Sequence, residues 1–278
     1  MIPISDLQRE LINKTFVCER LSSSEENLEL INSFSNSRGD SLVSYLQSKA
    51  WEMDKSGEIA FYVIKAKGVG IVLFFSIQCG SLFVPLDEEN ITNGVIEFLN
   101  KNSEANIQST LELMRRNPQA YRNWFDNVKS NIIVFAGITR DKKNEPNENV
   151  IRVDEIYSGV ELVHFCANEL VRDFWDSLKL GHPMGEVLFW SYIAPVIISI
   201  RNTVGCKYVY LYAADISKEG ELINYYNSLN FERPDCVGIA KPFYDFGCQF
   251  MCQEICALHE GMSNYFADFN IDPNVPFI

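Results

Sequence analysis

The chain has 278 residues, 47% of them hydrophobic and 22% charged, which is the composition of a globular protein able to bury a sizeable core. Aromatic residues reach 13%, so that core is bulky. The net charge of −13 argues against broad nucleic-acid binding, which needs a positive surface to displace counterions; it is compatible with a cationic substrate such as an amine, but acidity alone is mostly a solubility feature.

In chain order, residues 15–21 predict a first strand. Ser22-Ser23-Ser24-Glu25-Glu26 is a helix start, with hydroxyls to cap and carboxylates in the first turn. The helix then carries Leu28, Leu30, Ile31 and Phe34. Gly39-Asp40-Ser41 stops it and opens a second, whose apolar side is Leu42, Tyr45, Leu46 and Trp51. Residues 58–67 and 69–84 predict an antiparallel hairpin with Gly68 and Gly70 at its connection. The stretch 71–77 is nearly all apolar, the pattern of an interior strand covered on both faces. Residues 86–149 differ in texture. Helix-like stretches at 94–100, 107–116 and 121–129 precede a strand-like piece at 131–138 and a polar run at 139–149, which together predict a helical insertion between strands.

A strand follows at 160–167, then a glycine-bearing loop at 181–185 and a long apolar helix at 187–204, in which Pro195 should cost a hydrogen bond or a kink. Residues 207–213 predict another strand, and a short helix carries Leu222, Tyr225, Tyr226 and Leu229. Strand-like runs at 236–240 and 248–258 flank a turn at 241–247, and the tail 268–278 has little periodicity. There are eight cysteines. Cys248, Cys252 and Cys256 recur every fourth residue, with no CxxC pair and with His259 alone, which predicts core filling and no metal. No apolar run reaches the ~18 residues of a membrane span, and the N-terminus lacks a signal-peptide pattern. The expected setting is the cytoplasm.

The order β-α-α-β-β-insertion-β-α-β-α-β-β predicts one α/β domain over 1–278 with a mixed sheet. Strand, glycine loop, helix, strand and tyrosine-bearing helix over 159–231 resembles the GNAT family of N-acetyltransferases. Tyr226-Asn227-Ser228-Leu229-Asn230-Phe231 matches the family pattern Y-x-x-L-G-F, with Asn in place of Gly at a left-handed helix end. Leu180-Gly181-His182-Pro183-Met184-Gly185 stands where the family has Q/R-x-x-G-x-G/A. Its last glycine fits; Leu180 and Pro183 depart, and Pro183 brings no N–H.

The resemblance implies a GNAT-like acyl-CoA N-acyltransferase fold, with 151–258 as the acyl-CoA-binding and catalytic half and acetyl-CoA as cosubstrate. The loop Gly181 with the N–H groups of Met184, Gly185 and Glu186 would hold the pyrophosphate at a helix N-terminus; the other reading is a plain Gly-Pro turn. A backbone donor near Phe165, Cys166 or Ala167 would polarise the thioester carbonyl. Glu161 falls where some members place a general base, and it is equally a solvent-facing strand end. His164, three residues on, should point to the opposite face of a regular strand. Tyr226 would be the general acid for the leaving thiolate, with Tyr225 as competitor and core packing as the alternative for both. Asp215 replaces a cofactor-contacting Asn, or caps the Tyr226 helix. The implied reaction is acetyl transfer to a primary amine by direct attack, with a small-molecule or peptide acceptor, no nucleic acid, no membrane and a homodimer. Leu180 and Pro183 motivate a rival, a GNAT-fold binding or regulatory module without catalysis. A third reading, modification of charged tRNA by a GNAT-like toxin, is set aside on charge.

Overall fold

The computed structural model describes residues 3–84, 155–215, 217, 219–234, 237, 239 and 248–266. The chain divides into two compact units, Met1–Leu82 with Ile156–Ile278, and Phe83–Glu155. The expected insertion at 86–149 lies outside the described residues, as do the tail at 268–278, the turn at 241–247 and most of the run at 236–240.

Ser5 starts a helix that the sequence reading did not include, α1 (Asp6–Thr15). The Ser5 hydroxyl accepts from the Gln8 N–H and the Gln8 side chain accepts from the Ser5 N–H, a capping box. Six strands then form one sheet in sequence order: β1 (Phe16–Arg20), β2 (Ala60–Ala66), β3 (Gly70–Val84), β4 (Glu155–Ala167), β5 (Tyr208–Ala213) and β6 (Gln249–Glu254). The pairs β1–β2, β2–β3 and β5–β6 are antiparallel, and β4–β5 is parallel. β3 and β4 run opposite ways, since Val72, Ser76 and Gln78 meet Asn168, His164 and Glu161 in turn. The tight β2–β3 connection uses Gly68 at φ +76° and Gly70 at φ +105°, which side-chain-bearing residues rarely adopt. Every residue of 71–77 is buried, as expected of a strand covered on both faces.

One face of the sheet carries α2 (Glu25–Leu30), α3 (Asp40–Ser48) and α4 (Ala50–Ser56), packed through Ile31, Phe34 and Leu46 on Phe61 and Phe74. The other carries α1, α6 (Met184–Val204) and α8 (Ile255–Tyr265), with Ile12, Trp190, Ile197, Leu258 and Tyr265 in its core. Between β4 and α6 stands α5 (Arg172–Ser177), and α7 (Glu221–Ser228) follows β5.

Three expectations are corrected. The strand expected over 248–258 stops at Glu254, and Leu258, Met262 and Tyr265 then recur at helical spacing into the core. The cysteines of that run do not share one buried face: Cys252 is buried, Cys248 half-buried and Cys256 exposed. Finally, Glu161 and His164 lie on the same face of β4. Their partners Gln78 and Ser76 are two residues apart on β3 and so point the same way. Leu162 and Phe165 likewise both pack into the core on the opposite face. Three residues of β4 therefore span what two span on β3, the signature of a β-bulge between 161 and 165.

α6 is long and apolar enough to cross a membrane by length and composition. Here Val187, Leu188, Phe189, Trp190, Ile193, Ala194 and Ile197 are all wholly buried in the protein core. Its middle, Phe189–Ile193, winds as a π-helix immediately before Pro195. That wider turn accommodates the N–H that Pro195 cannot supply.

Candidate active site

The parallel pairing of β4 and β5 covers only Gly159–Glu161 against Tyr208–Tyr210. β4 runs on to Ala167 and β5 to Ala213 without further pairing to each other, so the sheet opens as a fork whose crotch is Glu161 and Tyr210. The Glu161 carboxylate accepts from Gln78 Nε2 at 2.8 Å and from the Tyr210 hydroxyl at 3.2 Å. Tyr210 is 2% exposed, and burial, then the neighbouring Glu161, pushes its pKa up, so it stays a donor.

Beyond the crotch, Phe165 turns to the α6–α7 face. Its ring centroid lies 6.0 Å from Tyr225, 6.4 Å from Tyr226 and 6.3 Å from Phe189. Tyr226 is buried, with its ring edge-on to Phe231, and burial raises its pKa. Its hydroxyl therefore holds a proton throughout the physiological range. The helix end behind it is as expected: Asn230 takes φ +68°, where the family has glycine. Cys166 faces the α2–α4 side, and burial, helped by Glu169, pushes its thiol up to about 12, which leaves it un-ionised and inert. The Ala167 carbonyl accepts from Asn36 Nδ2 at 2.8 Å. The sequence reading missed Asn168, which closes the end of β4. Its N–H donates to the Val72 carbonyl and its amide to the Ile71 carbonyl, while its side-chain oxygen accepts from Ser35 and Leu170 N–H.

The segment from Ala167 to α6 is not a simple glycine loop, because α5 interrupts it. Leu180 is buried and its carbonyl accepts from Gln8 Nε2; the His182 carbonyl accepts from Trp175 Nε1 at 3.0 Å. These bonds fix the loop, with Gly181 in the left-handed region at φ +72°. Pro183 is the N-cap of α6 and no side chain caps the helix, so no side-chain acceptor meets the N–H groups of Met184, Gly185 and Glu186. The buried Tyr225 hydroxyl, which has no hydrogen-bond partner, presses on this turn: a Cβ at Gly185 would lie 2.6 Å from it. Any side chain there would have to displace the Tyr225 ring. Phe165, Gly185, Tyr225 and Tyr226 thus meet at one end of the fork, with Glu161 at the other.

Asp215 is turned to its own helix. One carboxylate oxygen accepts from the Ser217 N–H and hydroxyl, the other from the Leu222 and Ile223 N–H groups. These bonds, the Ser217 hydroxyl foremost, hold its pKa at about 2. Capping occupies both oxygens, which is the second of the two uses read from the sequence. His164 accepts or donates at Nδ1 with the Ser76 hydroxyl at 2.6 Å, and its ring packs on Tyr45 and Phe61. Burial lowers its pKa to about 4, so it is a neutral core residue. Among the described residues no cluster of His, Cys, Asp or Glu could hold a metal ion.

No family model and no curated protein matches the chain. Solved structures do resemble it. A tyrosine-to-phenylalanine mutant of KacT is 10% identical, with a TM-score of 0.48 over 88% of this chain and 98% of that one. A tyrosine-to-phenylalanine mutant of the AtaT toxin is 8% identical, with a TM-score of 0.49 over 94% and 96%. AtaT complexed with acetyl-methionyl-tRNAfMet is 11% identical, with a TM-score of 0.42 over 88% and 98%. At such identities and TM-scores no activity passes from those chains to this one.

They do correct one expectation. AtaT is complexed with a tRNA, KacTA with DNA, and AtaT with the C-terminus of the antitoxin AtaR. The exclusion of nucleic acid, and the restriction to a small-molecule or peptide amine, are therefore withdrawn. The charge argument failed because −13 is a sum over the whole chain, whereas binding answers to the local surface. The six-stranded mixed sheet, with β4 and β5 parallel, is the α/β fold class expected from the sequence.

Proposed function

We propose that the protein is an acyl-CoA-dependent N-acetyltransferase that moves the acetyl group of acetyl-CoA to a primary amine. The observation that carries this reading is the fork: a β4 edge left open beyond Glu161, with the protonated, buried Tyr226 beside it and an uncapped helix N-terminus at its far end. A pyrophosphate fits that terminus, because no side chain occupies the first-turn N–H groups and the helix dipole favours an anion. Glu186 in the same turn opposes it in part. The orphaned Tyr225 hydroxyl against Gly185 is a further polar atom without a protein partner at that spot. The thioester would lie along the open edge of β4, whose backbone N–H groups would hold its carbonyl oxygen.

The neutral amine attacks the thioester carbonyl carbon, a C–N bond forms and the C–S bond breaks. Tyr226 gives its proton to the departing sulfur; its raised pKa makes the resulting phenolate quick to recover a proton. The proton lost by the amine goes to Glu161 or to a water it holds. Gln78 and Tyr210 orient that carboxylate from the β3 and β5 sides, so it points along the crotch of the fork.

Calorimetric titration with acetyl-CoA and with free CoA tests the reading. Saturable micromolar binding is expected, followed by turnover on some member of an amine panel that includes charged tRNA. Binding without turnover would favour the rival, a GNAT-fold module that has kept the cosubstrate site and lost transfer. Binding of neither ligand would overturn the assignment.

A further inference from the structure

Tyr210 of β5 reaches well beyond its own strand. Its ring passes over β4 at Gly159, and its hydroxyl ends over Gly80 of β3. A Cβ built at Gly159 would lie 3.2 Å from Tyr210 Cε1 and 2.6 Å from Leu82 Cδ1. A Cβ built at Gly80 would overlap the Tyr210 hydroxyl and lie 2.7 Å from its Cζ. The two glycines face each other across the strands. Gln78 meets Glu161, β3 and β4 run opposite ways, and each glycine stands two residues from that pair on its own strand. Residues two apart share a face of a strand, so both glycines lie on the face that carries Gln78 and Glu161.

Neither glycine has a positive φ, so the backbone does not call for them. Glycine inside a strand weakens it, and it marks places where another group must approach closely. Here that group is Tyr210. The ring itself is fixed: it is buried, and the rings of Tyr212 and Phe250 stand edge-on to it at 6.3 and 6.0 Å. Seated in this way, the hydroxyl donates to Glu161 Oε2 at 3.2 Å, the same oxygen that accepts from Gln78 Nε2 at 2.8 Å. An aromatic ring laid over glycines is also a way to cover bare strand backbone. Covering needs only the ring. The closest fit, at Gly80, is to the hydroxyl, the one atom that a covering ring does not require.

We propose that Gly80 and Gly159 form a slot that seats Tyr210 against Glu161, and that Gly80 is thereby a positioning residue for the base of the transfer reaction. The role of Glu161 as base rests on the acetyltransferase reading; the slot does not.

The test is an NMR titration of the Glu161 side-chain carboxyl in isotope-labelled protein, with thermal melts and steady-state kinetics, on Gly80→Ala, Tyr210→Phe and the double variant. The alanine methyl displaces the hydroxyl and phenylalanine lacks it. The carboxylate therefore loses a donor in all three, and its midpoint should move to higher pH in all three. Stability should separate them. Gly80→Ala should lower Tm, and adding Tyr210→Phe removes the atom that the methyl strikes and should restore most of the loss. Turnover should not return with it: kcat should stay about tenfold or more below that of the unmodified protein, with KM for acetyl-CoA unchanged, because the cosubstrate is held at the far end of the fork. A covering ring alone would give rescue of both. A Glu161 midpoint that stays in place in Gly80→Ala or in Tyr210→Phe, or a double variant with full turnover, would overturn the proposal. If the unmodified protein turns over no amine, the acetyltransferase reading fails, and the titration by itself still decides the slot.

Discussion

The two faces of the sheet treat their buried polar groups in opposite ways. On the α2–α4 face they are satisfied. Asp54, 3% exposed, accepts from Arg20 Nε and from the Ser22 and Phe61 N–H groups, and buried Asn27 donates to Glu19 and to the Leu21 carbonyl. On the α6–α8 face, Trp190 Nε1, Ser191 Oγ, Tyr225 Oη and Tyr265 Oη are buried with no partner. Buried polar groups without partners are rare in native proteins, and each calls for a cause. One face is built to hold the sheet together; the other keeps unpaired donors around α6, whose N-terminus is the candidate cosubstrate site.

The sharpest way to break this contrast is on the satisfied face. Asp54→Ala leaves Arg20 and two backbone N–H groups without their acceptor, and should cost about 3–5 kcal/mol of stability in a denaturant melt. A loss below about 1 kcal/mol would mean that the network is not structural. On the other face the expected response is in activity instead. Tyr226→Phe removes the proton donor and keeps the ring on Phe165 and Phe231. Turnover should fall by about 10²-fold or more while stability moves by less than about 1 kcal/mol. Unchanged turnover would remove Tyr226 from the mechanism.

His164 gives a pH signature to the satisfied face. Folded, its pKa is about 4, lowered by burial; unfolded, it is near 6.5. Between these values the unfolded chain binds more protons, so stability rises with pH. This contribution is complete above about pH 6.5 and is lost as pH falls toward 4. It amounts to roughly 3 kcal/mol. The difference in stability between the protein and His164→Phe should slope over that window and be flat above it. A flat difference throughout would place the ring in water.

The fold was largely legible because its long elements carry strong periodic patterns. The hairpin at Gly68 and Gly70, the apolar β3 and the apolar α6 all read directly from residue type. α1 was legible and missed: Ser5 followed by Gln8 three residues on is a capping-box pattern. The bulge in β4 was not legible. Alternation assumes a regular strand, and nothing in Glu161-Leu162-Val163-His164 says that one residue is extra. The fork was equally hidden, since a strand that stops pairing keeps the same side chains. Of the site, Tyr226 and the left-handed Asn230 could be found from the family pattern. The orphaned hydroxyls could not, because lacking a partner is a property of the packed interior and not of the sequence.

Tyr225 sharpens the comparison most finely, because its neighbour Tyr226 differs from it by one position and a different task. Its hydroxyl is buried without a partner against Gly185, at the start of α6. If that hydroxyl were only packing slack, Tyr225→Phe would relieve an unsatisfied group, stabilise the protein by up to about 1 kcal/mol and leave CoA affinity as it was. If it serves the cosubstrate, the same variant gains the same stability without ligand and binds CoA about five- to tenfold more weakly. We expect the second result. Pro183 contributes no N–H and Leu180 no side-chain donor to this loop, and the Tyr225 hydroxyl, set against Gly185 without a protein partner, is a donor that can stand in for them. Melts with and without CoA on the two proteins measure both quantities at once. A stability gain that persists unchanged at saturating CoA would assign the hydroxyl to packing, and the α6 face would then hold at least one unpaired group for which ligand binding is not the cause.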